Sequence, residues 1–148
     1  MGVVIREATR ADLAAVLSLY REAGLDSETD FDLENASRIW ETLKSYPFYK
    51  VFVAEQDSQP VGTYALLIVD NLAHKGARSG IVEAVAVLPS CQGQGIGKAM
   101  MHHAMSRCRE NNCYKMALSS NEKRHEAHRF YENLGFERHG FSFKVDLA

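Results

Sequence analysis

The chain has 148 residues, 46% of them hydrophobic, with 17 basic and 19 acidic side chains and a formal net charge of −2. This length suits one domain around a single core, and the charge balance supplies no general field for nucleic acid or an anionic membrane. No apolar run approaches the roughly 20 residues that span a bilayer, and the opening Met1-Gly2-Val3-Val4-Ile5-Arg6 lacks a signal-peptide layout, so a cytoplasmic location is expected. Cys91, Cys108 and Cys113 are odd in number and show no Cys-x-x-Cys spacing, which reads as reduced thiols rather than a disulfide scaffold or zinc knuckle.

Val3 to Ala8 predicts a first strand. Thr9 follows as an N-cap with Asp12 three residues on, and Leu13, Val16, Leu17 and Tyr20 recur at helical spacing up to Gly24. An acidic run, Asp26, Glu28, Asp30, Asp32 and Glu34, leads into a second helical pattern with Leu33, Ala36, Trp40 and Leu43 on one face. Val51 to Glu55 and Val61 to Val69 predict two strands around the turn residues Asp57-Ser58-Gln59-Pro60. A polar loop, Asn71 to Gly80, precedes Ile81 to Leu88, whose apolar character on both faces predicts a central strand.

After that strand the chain reads Pro89-Ser90-Cys91-Gln92-Gly93-Gln94-Gly95-Ile96-Gly97-Lys98, and a helix follows with Ile96, Met100, Ala104 and Cys108 in one stripe. Tyr114 to Ser119 predicts a strand, and Ala127, Phe130, Tyr131 and Leu134 mark a last helix closed by Gly135. Phe141, Phe143, Val145 and Leu147 alternate with Ser142, Lys144 and Asp146, as in a terminal strand with one buried face. Nothing in this order splits the chain, so residues 1–148 are expected to form a single domain of mixed α/β (α+β) class.

Three alternating glycines at the junction of a strand and a helix build an anion cradle. The first N–H groups of a helix have no partner inside it, the helix dipole is positive there, and glycine lets a ligand approach the backbone. A P-loop requires glycine and Ser or Thr where Gln92 and Ala99 stand, and a dinucleotide fingerprint beginning at Gly93 requires glycine in place of Lys98. Both readings fail.

The string does fit Gln/Arg-x-x-Gly-x-Gly/Ala through Gln92, Gly95 and Gly97, and Ala127-His128-Arg129-Phe130-Tyr131-Glu132-Asn133-Leu134-Gly135-Phe136 fits A-x-x-F-Y-E-x-x-G-F. In these motifs the chain resembles the GNAT N-acetyltransferases. The resemblance implies a mixed, mostly antiparallel sheet of six to seven strands with about four helices. It also implies acetyl-CoA as cosubstrate, no metal, and a primary amine as acceptor, attacked directly in a ternary complex. Gln92, Gly93, Gln94, Gly95, Ile96, Gly97 and Lys98 would hold the pyrophosphate. Val85, Ala86 and Val87 would offer backbone groups to the pantetheine arm as to an added strand.

Two residues carry the expected chemistry. Glu83, placed by simple alternation on the face of Ile81, Val85 and Val87, is a carboxylate among apolar neighbours, suited to accept the amine's proton. Tyr131 matches the family phenol that contacts the CoA sulfur and protonates the departing thiolate. Arg124 stands where the family often has asparagine; an arginine accepts no hydrogen bond, so it is read as a contact to CoA or to a substrate phosphate. His125, His128, His102 and His103 lack thiol or carboxylate partners at ligand spacing and read as surface histidines.

The stretch from Asn121 to Tyr131 is similar to aminoalkylphosphonate acetyltransferases, and Asn71 to Gly76 with Asn112 to Lys115 to glucosamine-6-phosphate acetyltransferases. Both accept small amines bearing a phosphorus oxyanion, which offers His74, Lys75 and Arg78 as an anion clamp. A protein-acetylating enzyme and a non-catalytic acyl-CoA sensor are the alternatives. Relatives often dimerise through a sheet edge or the terminal strands, which makes a second copy a candidate partner.

Overall fold

The computed structural model describes residues 2–26 and 31–147. One sheet runs in the order β1 (Val4–Glu7), β2 (Tyr49–Gln56), β3 (Gln59–Val69), β4 (Arg78–Val87) and β5 (Cys113–Ala117). The first four pair antiparallel and β5 joins β4 in parallel. The helices are α1 (Leu13–Glu22), α2 (Leu33–Leu43), α3 (Ile96–Glu110) and α4 (His125–Asn133). The chain divides into two compact units, one ending at Ala117 and one beginning at Leu118.

In the first unit, strand register decides what each face buries. Val51, Val53 and Ala65 lie on one face with Val16 of α1, and Tyr20, Trp40 and Tyr49 pack against them. On the other face, α3 contributes Met100, Met101 and Ala104, all wholly buried. Each of the two methionines contributes about 1.5–3 kcal/mol on leaving water. The buried Tyr64 hydroxyl is satisfied by the His103 Nδ1 at 2.7 Å, and Phe52 stacks on the Tyr64 ring. The β2–β3 hairpin turns through Asp57 and Ser58, both at positive φ as a two-residue primed turn requires.

The predicted Thr9 and Asp12 pair closes a 3-10 turn at Arg10–Asp12 ahead of α1. The Asp12 carboxylate accepts the Thr9 N–H at 2.7 Å and both terminal Arg6 guanidinium nitrogens at 2.7 and 2.8 Å, while Arg6 Nε donates to Glu55 at 2.9 Å. The Arg6 hydrogen bond holds the Asp12 carboxyl well below the usual carboxylate range. A carboxyl depressed in the fold stabilises above its unfolded pKa of about 3.9 and loses that contribution as pH falls below it. We therefore expect Asp12→Ala to destabilise the chain by about 1–2 kcal/mol at pH 7, and by progressively less below pH about 4, in urea melts across pH.

Several expectations need correcting. The sheet has five strands among the described residues, not six to seven. The terminal alternation forms no strand: Phe141, Phe143, Val145 and Leu147 are 77–92% exposed. Alternation marks a segment able to bury one face, but a strand also needs a neighbouring edge, and the described residues of its unit contain none. Leu33, expected on the buried stripe of α2, is half exposed because only Ala36 of that helix is buried. Within the acidic run, Glu28 and Asp30 lie outside the described residues.

Candidate active site

The glycine loop has the form its sequence predicts. Pro89–Cys91 makes one 3-10 turn after β4, Gly93 and Gly95 both adopt left-handed φ of 81° and 83°, and Gly95 is the N-cap of α3. The first helical bond runs from the Ala99 N–H to the Gly95 carbonyl, which leaves the N–H groups of Ile96, Gly97 and Lys98 without an intrahelical acceptor. A Cβ built on Gly93 or Gly95 meets nothing within 4 Å, so the space above the loop is open to a ligand. Three free amides at the positive end of a 15-residue helix fit a pyrophosphate. Gly95→Val would force a β-branched residue into that φ and fill this space. With this loop holding the acyl-CoA pyrophosphate, as the resemblance implies, the expected result is at least a tenfold weaker acetyl-CoA affinity, about 1.4 kcal/mol, measured by calorimetry.

Upstream of the loop, β4 bends at a bulge that the sequence reading missed. Ala65 pairs with Glu83 and Thr63 with Ala86, so Ala84 and Val85 together oppose Tyr64. Ala84 takes a φ of 51°, which a residue with a Cβ rarely adopts. Paired residues share a face, so Glu83 and Ala86 point to the side of Ala65, where α1 packs. Simple alternation places Glu83 with Val85 and Val87. The bulge instead moves Val87, paired with Gly62, to the opposite face.

Beyond the bulge, β4 offers a free edge. Its pairing with β5 stops at Ile81 opposite Ala117, whereas β4 itself continues to Val87. The outward backbone groups of Val85 to Val87 therefore have no β5 partner, as strand addition requires. From Glu83 to Val87 the bulged strand advances only the three register steps from Ala65 to Gly62, about 10 Å at roughly 3.3 Å per residue. The free edge thus leads from the anion cradle down to a carboxylate.

Glu83 is exposed, so the burial that the sequence reading invoked for it is absent. Its oxygens are open to water and to an incoming base. Tyr49 lies on the same face one step farther from the loop, paired through Leu67 to Ile81. Burial raises the Tyr49 phenol, and the charge of Glu83 and then Tyr46 add to the rise. Tyr49 and Tyr46 also line a cavity of about 210 Å³ with Trp40, Phe48 and Lys50. Neither tyrosine was singled out from sequence, because aromatic residues at a strand start read as ordinary core.

The second unit holds Tyr131 on α4. The helix closes as a Schellman motif: the Gly135 N–H bonds the Glu132 carbonyl, the Phe136 N–H bonds the Tyr131 carbonyl at 3.1 Å, and the Tyr131 and Phe136 rings meet edge to face. This fixes the half-buried tyrosine. Burial raises its phenol, with Arg124 pulling the other way, so the hydroxyl is protonated at neutral pH. Arg124 is exposed at the helix N-cap and makes no side-chain cap bond. Asn121 does not cap α4 either; its side chain accepts the Lys123 N–H in the preceding turn. Of the anion-clamp candidates, Arg78 pairs with Asp70 at 3.0 Å, His74 stacks on Tyr114, and His74 and Lys75 both adopt positive φ.

The family model of the Acetyltransferase (GNAT) family matches residues 13–136, which takes in both motifs. The chain belongs to the GNAT acetyltransferase family. Glucosamine 6-phosphate N-acetyltransferase of Trypanosoma brucei brucei is 37% identical over 66% of this chain, a stretch spanning 65% of that protein's length. Aminoalkylphosphonate N-acetyltransferase of Salmonella typhimurium is 30% identical over 97% of this chain and 90% of its own. Among solved structures, an Agrobacterium tumefaciens protein described as a putative acetyltransferase superimposes with a TM-score of 0.90. It is 30% identical, covering 97% of this chain and 99% of that one.

Proposed function

We propose that this GNAT chain transfers the acetyl group of acetyl-CoA to the primary amine of a small molecule, by direct attack within a ternary complex. The observation that carries the reading is the continuity of the open glycine cradle, the unpaired edge of β4 and the exposed Glu83. Gly93 to Lys98 would take the pyrophosphate, and the backbone of Val85 to Val87 the pantetheine arm. Glu83 would accept a proton from the amine, directly or through water, so that the nitrogen lone pair can attack the thioester carbonyl. An unpaired N–H of the β4 edge would steady the developing oxyanion. On its motif, Tyr131 is assigned proton donation to the departing thiolate.

Acceptors that pair an amine with a phosphorus oxyanion head the candidates, since two relatives bear such names. The test is thiol release from acetyl-CoA with aminoalkylphosphonates, amino sugar phosphates, polyamines and lysine peptides. Turnover confined to small amines supports the proposal. Turnover only on peptides would make the chain a protein acetyltransferase, and binding of CoA without turnover would make it a sensor. Tyr131→Phe keeps the ring contact with Phe136 and removes only the hydroxyl. It should lower kcat by about 10²-fold with the melting temperature and acetyl-CoA KM unchanged.

A further inference from the structure

Two cysteines outside the proposed chemistry flank the short connection from α3 to β5. Cys108 lies on the last turn of α3, 4% exposed, and Cys113 opens β5, partly exposed. The connection reverses through Asn111 and Asn112, the latter at a φ of 60°, and sets Cys113 opposite Arg78, two residues along β4 from the Gly80 against which the Cys108 sulfur packs. Gly80 on β4 makes the arrangement possible. A Cβ at that position would stand 2.3 Å from the Cys108 Sγ, so the sulfur occupies the space a side chain would take. Arg78 is the register partner of Cys113 across the β4–β5 pair.

We propose that Cys108 and Cys113 form one oxidation site, which reacts with a low-molecular-weight disulfide and closes to an intrachain disulfide joining α3 to β5. The first attack falls to Cys113. It is the more exposed of the two residues, and the neighbouring Cys108 thiol and the Arg78 charge both oppose the rise that burial imposes on it. Burial, reinforced by the neighbouring Cys113, pushes Cys108 up to about 12, which suits a thiol that acts second.

With oxidised glutathione as the reagent, the Cys113 thiolate attacks one glutathione sulfur. The glutathione S–S bond breaks, and one glutathione leaves as a thiolate that takes up a proton. Cys108 then gives up its proton and attacks the Cys113 sulfur of the mixed disulfide, releasing the second glutathione. The two protein thiols are oxidised by two electrons, and one glutathione disulfide becomes two thiols. Closure spans only Arg109 to Asn112, so the loop it closes is short and local.

The test is equilibration of the full chain with mixtures of reduced and oxidised glutathione, acid quenching, intact mass and peptide mapping. The expected product has lost two mass units through a Cys108–Cys113 cross-link, whatever the state of Cys91. It should melt several degrees higher than the reduced chain, with full reversal by dithiothreitol. The variants Cys113→Ser and Cys108→Ala should each lose both the cross-link and the thermal shift. In Cys108→Ala, glutathione should remain on Cys113. Persistent glutathione on Cys113 beside a free Cys108 in the natural chain would overturn the proposal, as would two free thiols at every ratio. Both readouts are independent of acetyl transfer, so they stand apart from the fate of the proposed function.

Discussion

Glu83→Gln should lower kcat by about 10²- to 10⁴-fold while acetyl-CoA affinity and melting temperature remain as in the natural chain. The substitution keeps the shape of the side chain and its place on β4. An amide cannot take up the proton that an ammonium must lose before its nitrogen can attack. Glu83 is exposed and makes no ion pair among the described residues, so removing its charge breaks no structural contact. Steady-state kinetics with the best acceptor from the amine panel, alongside calorimetric titration with acetyl-CoA, measures the two quantities separately. A variant with unchanged kcat and a raised acceptor KM would recast Glu83 as a binding group for a cationic substrate. Glu83→Asp, which keeps a base but shortens its reach, should fall between the two. Tyr49 shares the face and borders the cavity, so the amine is expected to approach from that side.

The legible parts of this chain were those whose physics is local. The stripe Ile96, Met100, Ala104 and Cys108 is buried as its spacing predicts, since a helix of 15 residues has one face to hide. The glycine loop was readable because left-handed φ and an open helix N-terminus leave marks in residue type. The bulge at Ala84 was not readable. Alanine has no preference for positive φ, and a two-against-one mismatch exists only between strands, so Glu83 was given the wrong facial companions. The exposure of Glu83 was hidden for the same reason: apolar neighbours along a strand say little about what covers one position. The terminal alternation from Phe141 to Leu147 failed differently, since period-two patterning specifies a face to bury and leaves the pairing edge unspecified.

The bulge itself can be removed without disturbing the pairing on either side. Deletion of Ala84 would leave Glu83 opposite Ala65, bring Val85 opposite Tyr64 and keep Ala86 opposite Thr63. Every residue of β4 outside the bulge retains its partner and its face, and the left-handed φ of Ala84, worth about 1–2 kcal/mol of strain for a residue with a Cβ, disappears. The expected product is therefore a folded chain at least as stable as the natural one in urea melts. Activity should fall far more than stability. A bulge bends its strand and adds local twist, and here it lies between the carboxylate and the edge that would receive the pantetheine arm. A regular strand would carry Val85 to Val87 along a different line from the glycine cradle, so arm and pyrophosphate could no longer be held together. We expect kcat/KM for acetyl-CoA to drop by more than about 10²-fold, the cost of misplacing a reacting group by an ångström or more. Full activity in a stable deletion variant would show that the bulge is dispensable and would separate the β4 edge from acyl-CoA binding.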